Sequence, residues 1–399
     1  MRFAYPIDLS EQEEDARLQV RSAIALWWRE FEARTADLTV LFKRQSDWDL
    51  VAWMSKWLES ISPNLFWEFG PGLMGGHRLV ITCESHQYLR PLVSQILSQA
   101  PRIEGWEFYA YRLAEDYAMA IKTVEARGGA LLDQVRFRLK LNDIHQVEIE
   151  SLVKKKFPED KHQTTALVAL ETLLGEEAMN RWVGRISHQV VTIFPFGSVL
   201  GSDLLNKFRV LIEKQKAMLP TEPWYEHSDD QKWSLFELKP DQSPEDYFFR
   251  DDQFTQVSGY TAMHKCVVNR MSFDSIRYSR HGEIFCFLKI DGIGGLPEWG
   301  FKDRGDIEDA LEAVLRPARL GAVVGGGMGY RYCYIDLALA NVEESVPLIR
   351  ETLQKGGIPA RTWLLFMDED LANEWIGICP DTPPPPGSSD DNSQLNPSI

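Results

Sequence analysis

The chain has 399 residues, 44% hydrophobic and 26% charged, with 59 acidic against 43 basic side chains for a formal charge of −16. That length exceeds the ~150 residues of a typical domain, and the composition is that of a folded chain. The charge argues against nucleic acid, whose phosphates are bound by Lys and Arg displacing counterions, and is better suited to a basic protein partner.

Cys83, Cys266, Cys286, Cys333 and Cys379 are odd in number, far apart and without CxxC spacing. This pattern fits a reducing compartment. The start, Met1 to Pro6, lacks a basic and apolar leader, and no window approaches the ~20 apolar residues of a membrane span. The expectation is a soluble, cytoplasmic protein without a membrane partner.

In chain order, Ser10 and Glu13 form a capping-box pattern that opens a helix over residues 10–33, with Ile24, Trp27, Trp28 and Phe31 on one stripe. A second helix is expected over 48–61. Their tryptophans fit core packing at helical spacing.

Two short strands, a helix and a third strand then recur at 65–112, 135–196 and 322–367. The first copy carries strands at 65–69, 79–82 and 106–111. The second has strands at 135–141 and 147–152, a helix over 164–183 and a strand at 190–194, followed by a helix that ends near Leu219. Periodicity breaks over 220–281, where Asp229, Asp230 and Pro244 fall among scattered aromatics; strands are expected at 233–238 and 266–271.

The third copy gains a strand at 284–290 and a helix at 307–315. The resulting βαββαβ order is that of a ferredoxin-like split unit on a mainly antiparallel sheet, strand order 4-1-3-2. The fold class is therefore α+β with repeated β-β-α-β cassettes. Its expected divisions are 1–219, a connecting segment 220–281, the ferredoxin-like domain 282–379 and a disordered tail 380–399 that starts with Pro383 to Pro386.

That topology gathers the end of strand one, the hairpin and the start of strand four on one rim. Gly292 to Gly295, Gly325 to Gly329 and Gly356-Gly357 are assigned there, bordered by Asp291, Arg331 and Arg361. Backbone N–H groups of such loops can approach an anion or small ligand, which makes Asp291, Gly294, Gly326, Gly327, Arg331 and Arg361 candidate ligand-binding residues. The plainer reading is turn chemistry. Gly325 to Gly329 is followed by a strand rather than the helix that a dinucleotide fingerprint requires.

Alternation puts Tyr330, Tyr332, Tyr334 and Asp336 on one strand face, with Phe285 and Phe287 beside them. This face is either covered by the middle segment or the N-terminal domain, or forms a protein-binding patch. Stacking of RNA bases conflicts with the acids at Asp303, Asp306, Glu308, Asp309 and Glu312. Arg136, Arg138, Lys140 and Lys154 to Lys156 form the one basic cluster, which Glu148 and Glu150 on the facing strand would neutralise.

The eight histidines show no metal-ligand spacing, Gly197 to Gly201 lacks nucleophile-elbow spacing, and acidic runs such as Asp368 to Asp370 are adjacent in sequence. No metal or cofactor is expected, and the catalytic status stays open. The reading is non-catalytic binding or regulation through protein contacts. Its alternative is a small-molecule enzyme or sensor that uses the glycine loops. Oligomeric state is not legible.

Overall fold

The structure, a computed structural model, describes residues 1–227, 232–240, 246–247 and 249–387. Asp229, Asp230 and Pro244 lie outside the described residues, as does the expected tail from 388 onward. The chain is mixed α+β and divides into two compact units: one holds Leu9–Ala217 with Met1 and Phe3, the other Met218–Ile399 with Arg2 and Ala4–Asp8.

The N-terminal unit opens with α1 (Glu11–Phe42), started by the Ser10/Glu13 capping box, and α2 (Leu50–Glu59), capped by Asp49. The first helix runs past residue 33 because no Gly or Pro interrupts it and Leu38 is fully buried. Trp27, Trp28, Phe31 and Trp53 pack together, with Trp27 and Trp53 ring centroids 5.2 Å apart.

They lie on the sheet of β1 (Phe66–Pro71), β2 (His77–Thr82) and β3 (Trp106–Tyr109), with α3 (Arg90–Ser98) between the last two strands. The first pair is antiparallel and the second parallel.

An unexpected helix follows, α4 (Tyr117–Gly128), N-capped by Asp116 and closed by Gly129 at φ 71°. The next sheet runs β6-β5-β4-β7, from β4 (Arg136–Leu141), β5 (Val147–Lys154), β6 (Val183–Val191) and β7 (Val199–Leu200). Again the hairpin is antiparallel and the strand after the helix is parallel to its second arm. The helix expected over 164–183 is two, α5 (Glu159–Leu174) and α6 (Glu176–Trp182), because Gly175 at φ 80° breaks the spiral. The strand expected at 190–194 lies earlier, since the short second helix ends at Trp182. α7 (Gly201–Met218) completes the unit. Arg138 pairs with Glu150 across the hairpin at 2.5 Å.

The C-terminal unit contains β8 (Ser234–Glu237), β9 (Gln253–Ser258), α8 (Thr261–Val268), β10 (Ile284–Asp291), α9 (Arg304–Ala318), β11 (Gly321–Gly329), β12 (Tyr332–Leu339), α10 (Val342–Lys355), β13 (Thr362–Phe366) and β14 (Trp375–Gly377). They form a seven-stranded sheet, β14-β13-β10-β12-β11-β9-β8, whose neighbouring strands are all antiparallel.

Two expectations fail here. Residues 266–271 are not a strand: Cys266 and Val267 lie in the last turn of α8, whose buried side also carries Met263 and His264. Gly325 to Gly329 is not a hairpin loop but the second half of β11, held on both sides by β12 and β9.

Arg2 and Ala4–Asp8 belong to this unit for concrete reasons. Arg2 stacks 3.9 Å over Trp375 and donates to its carbonyl at 3.0 Å, Glu374 accepts the amides of Ala4 and Tyr5 at 3.0 and 3.1 Å, and Tyr5 stacks on Phe366. At the other end Pro385 is buried and the Trp363 indole donates to the Pro383 carbonyl at 2.6 Å. The start of the expected tail is therefore packed.

Candidate functional site

Alternation along β10 divides the C-terminal sheet into two chemically different faces. Cys286, Leu288 and Ile290 join Ile335, Leu337 and Leu364 in the apolar core with α9 and α10 residues. The opposite face carries Phe285, Phe287, Lys289 and Asp291, paired with Ala338, Asp336, Tyr334 and Tyr332.

This second face is covered by the middle segment. Phe249 meets Phe287 edge-on at 5.1 Å, and the Arg250 guanidinium sits 4.9 and 5.1 Å over Phe287 and Tyr334. Phe285, Phe287, Tyr332 and Tyr334 are at most 1% exposed; Tyr330, the fifth residue of the expected interaction face, is 49% exposed. Four of the five therefore cannot meet a partner in this arrangement, because aromatic area on a sheet is stabilised by covering it.

Polar groups are buried beneath the cover and pair there. Arg250 Nη1 lies 2.7 Å from Asp336 Oδ1, and Gln256 donates to Asp336 Oδ2 at 3.2 Å. Asp252 accepts the backbone amides of Arg331 and Tyr332 at 2.8 and 2.9 Å and the Tyr334 hydroxyl. Lys289, 1% exposed, donates to the Tyr247 carbonyl, with its ammonium 4.1 Å over the Tyr332 ring. Burial pushes its amine down to about 8, against the pull of Asp252, Asp246 and Asp251.

At the rim, Asp291 Oδ2 receives Arg331 Nη2 at 2.8 Å and Arg361 Nε at 2.7 Å, and Arg361 Nη2 reaches Asp246 Oδ2 at 2.6 Å. Tyr332 donates its hydroxyl to Asp246 at 2.5 Å and accepts from Arg361 at 2.8 Å. Burial works against the Asp291 charge, yet hydrogen bonds from Arg331, the Ile293 amide and Arg361 hold its carboxyl below the usual range. Two carboxylates and two guanidinium groups thus neutralise one another in a closed set. Such an array clasps Asp246 to the sheet.

Of the expected ligand residues, Asp291, Arg331 and Arg361 meet at this rim. Gly294, at φ 95°, lies in the exposed loop after β10 with open space around it. Gly326 and Gly327 lie inside β11. A Cβ on Gly326 would stand 2.6 Å from the Tyr334 carbonyl and 2.8 Å from Glu308 Oε1, and one on Gly327 would overlap Gln253. These glycines make room for neighbouring polar side chains.

No protein-family model, curated protein or solved structure matches this chain.

One cluster escaped sequence reasoning altogether. Ser151 Oγ lies 3.1 Å from His162 Nε2 and 2.7 Å from His188 Nδ1, and burial lowers both imidazole pKa values. Parallel pairing of Ser151 with His188 brings two of them together. Ser151 is 0% exposed, so its hydroxyl is closed to a substrate. Among the described residues no three His, Cys, Asp or Glu side chains are grouped to hold a metal, and no helix is long and apolar enough to cross a membrane. Two shallow hollows, of 410 and 470 Å³, lie in the N-terminal unit.

Proposed function

We propose that this protein acts by non-catalytic binding or regulation through protein contacts, on a scaffold of related ββαβ units that ends in a ferredoxin-like domain. The order β13-β10-β12-β11 supports the last point, being 4-1-3-2 for the strands of a βαββαβ unit.

The observation that carries the functional reading is the edge of this sheet. Among the described residues β8 is its last strand; Leu235 on it is 67% exposed and Trp233, just before it, 48%. The strand is anchored from behind by Phe236, stacked on His264 at 3.6 Å. An edge strand with exposed apolar side chains is a template for strand addition by an extended peptide. The formal charge of −16 favours a partner with basic flanks.

Quantitative affinity purification tests this with wild type, the variant W233A/L235E and the control L26E, which alters another exposed apolar residue. A protein enriched by wild type and control but lost with the edge variant supports the reading. Identical captures from all three overturn it.

The second reading, a small-molecule enzyme or sensor, draws on the meeting of Asp291, Arg331 and Arg361. Their mutual neutralisation and the 5% exposure of Asp291 make it the weaker one.

A further inference from the structure

The loop after β6 carries two apolar side chains far out in solvent, Ile193 at 81% and Phe196 at 104% exposure. Its tip is fixed. The Ser198 amide and hydroxyl both donate to the Pro195 carbonyl, at 3.2 and 2.8 Å, and Gly197 takes φ 82° with open space where a Cβ would stand. Phe194, between the two exposed residues, is held from below: the Arg136 guanidinium of β4 lies 4.9 Å from its ring centre and the Lys154 ammonium of β5 lies 5.3 Å from it. A loop set in advance loses little entropy when it docks.

Those two contacts root the loop in the basic cluster of the chain. Lys155 and Lys156 follow Lys154 in an exposed turn, which the Phe157 amide closes on the Lys154 carbonyl at 2.8 Å. Of the acids nearby, Glu150 is paired with Arg138 and Glu148 lies opposite Lys140. Glu159 and Asp160 occupy the first turn of α5, where the helix dipole favours them. Arg136 and Lys154 to Lys156 make no ion pair among the described residues. An apolar tip with unanswered positive charge at its base matches an anionic surface over an apolar phase. A protein partner needs ~800 Å² of continuous surface, whereas Phe196 projects free of its surroundings.

We infer that this loop docks the protein on an anionic lipid bilayer, with Ile193 and Phe196 entering the interface and Arg136 and Lys154 to Lys156 meeting the headgroups. The formal charge of −16 does not prevent this, because at ~0.1 M salt the surface senses charges within ~10 Å. A search for spans of ~20 apolar residues passes over a tip of this size.

Co-sedimentation of the full chain with phosphatidylcholine vesicles, and with vesicles rich in phosphatidylserine, reads the docking. Wild type is expected to partition at least ~10-fold better onto the anionic vesicles and to leave them as salt rises. I193S/F196S and K154Q/K155Q/K156Q are each expected to lower that partition coefficient ~10-fold or more. Their circular dichroism stays native, since all five side chains are exposed. The control L73S/M74S, which alters another exposed apolar pair, binds as wild type does. Equal partition of wild type onto both kinds of vesicle overturns the inference. So does binding to neither, which leaves the loop to a protein, and so does binding that either loop variant retains or that the control loses.

Discussion

Arg250 and Asp336 are paired under the cover of the C-terminal sheet, 2.7 Å apart, with side chains 3% and 0% exposed. One arises from the middle segment and the other from β12, so the pair ties the cover to the sheet. Removing one partner strands a buried charge. Asp336→Ala is expected to cost ~3–5 kcal/mol, whereas the apolar pair R250M/D336L recovers most of that loss. Urea unfolding of the three proteins checks this. Equal losses for the single and double variants would mean that packing, not the uncompensated charge, sets the cost.

The glycine-rich half of β11 makes a second prediction. A Cβ on Gly329 would overlap the Asp252 carboxylate, which holds the Arg331 and Tyr332 amides. Gly329→Ala is expected to destabilise by ~2 kcal/mol through overpacking. Gly294→Ala, with open space but φ 95°, is limited to backbone strain of ~1 kcal/mol. Thermal unfolding orders the two. Gly294→Ala as the worse variant would mean that backbone strain in the loop outweighs the crowding at Gly329.

Two buried bases set opposite ends of the pH profile. Burial, aided by Arg250, pushes His264 down to about 4. The unfolded chain then binds more protons below pH 6.5, so stability falls as pH drops from 6.5 toward 4. His264→Phe is expected to flatten that fall and to keep the stack on Phe236. A fall of unchanged slope in the variant would assign it to other groups.

Lys289, pushed down to about 8 by burial, acts at the alkaline end. Between pH 8 and 10.5 the unfolded chain holds the proton that the folded chain has released, so this residue's contribution to stability rises with pH. The difference in stability between wild type and Lys289→Met is therefore expected to grow in favour of wild type across that window. A pH-independent difference would contradict the buried, neutralised amine.

Much of this was legible in the sequence where periodicity is strong. Alternation in 284–291 and 330–337 separates the aromatic side from the aliphatic side, and the capping box at Ser10 marks the first helix. The order of elements also brings Asp291, Arg331 and Arg361 into one neighbourhood.

What periodicity could not reveal are the partners drawn from aperiodic chain. Asp246, Arg250 and Asp252 lie in a segment with no repeat, so nothing local says that they close over Lys289 and Asp336. α4 does carry local signals, the N-cap Asp116 and the C-cap Gly129, but no apolar stripe strong enough to stand out between them. The branched Val267 and Val268 favour a strand locally, but tertiary packing makes that stretch helical. The run from Gly325 to Gly329 read as a turn by composition. Its reason, room for Asp252, Gln253 and Glu308, exists only once β9 and α9 are packed against it.

The most direct measurement places a photo-crosslinking residue at position 235 of the intact chain, with position 26 as the control, and irradiates it in extract of the protein's own cell. An adduct to one polypeptide is expected from position 235, absent from position 26. No adduct, or the same set of adducts from both positions, would contradict it.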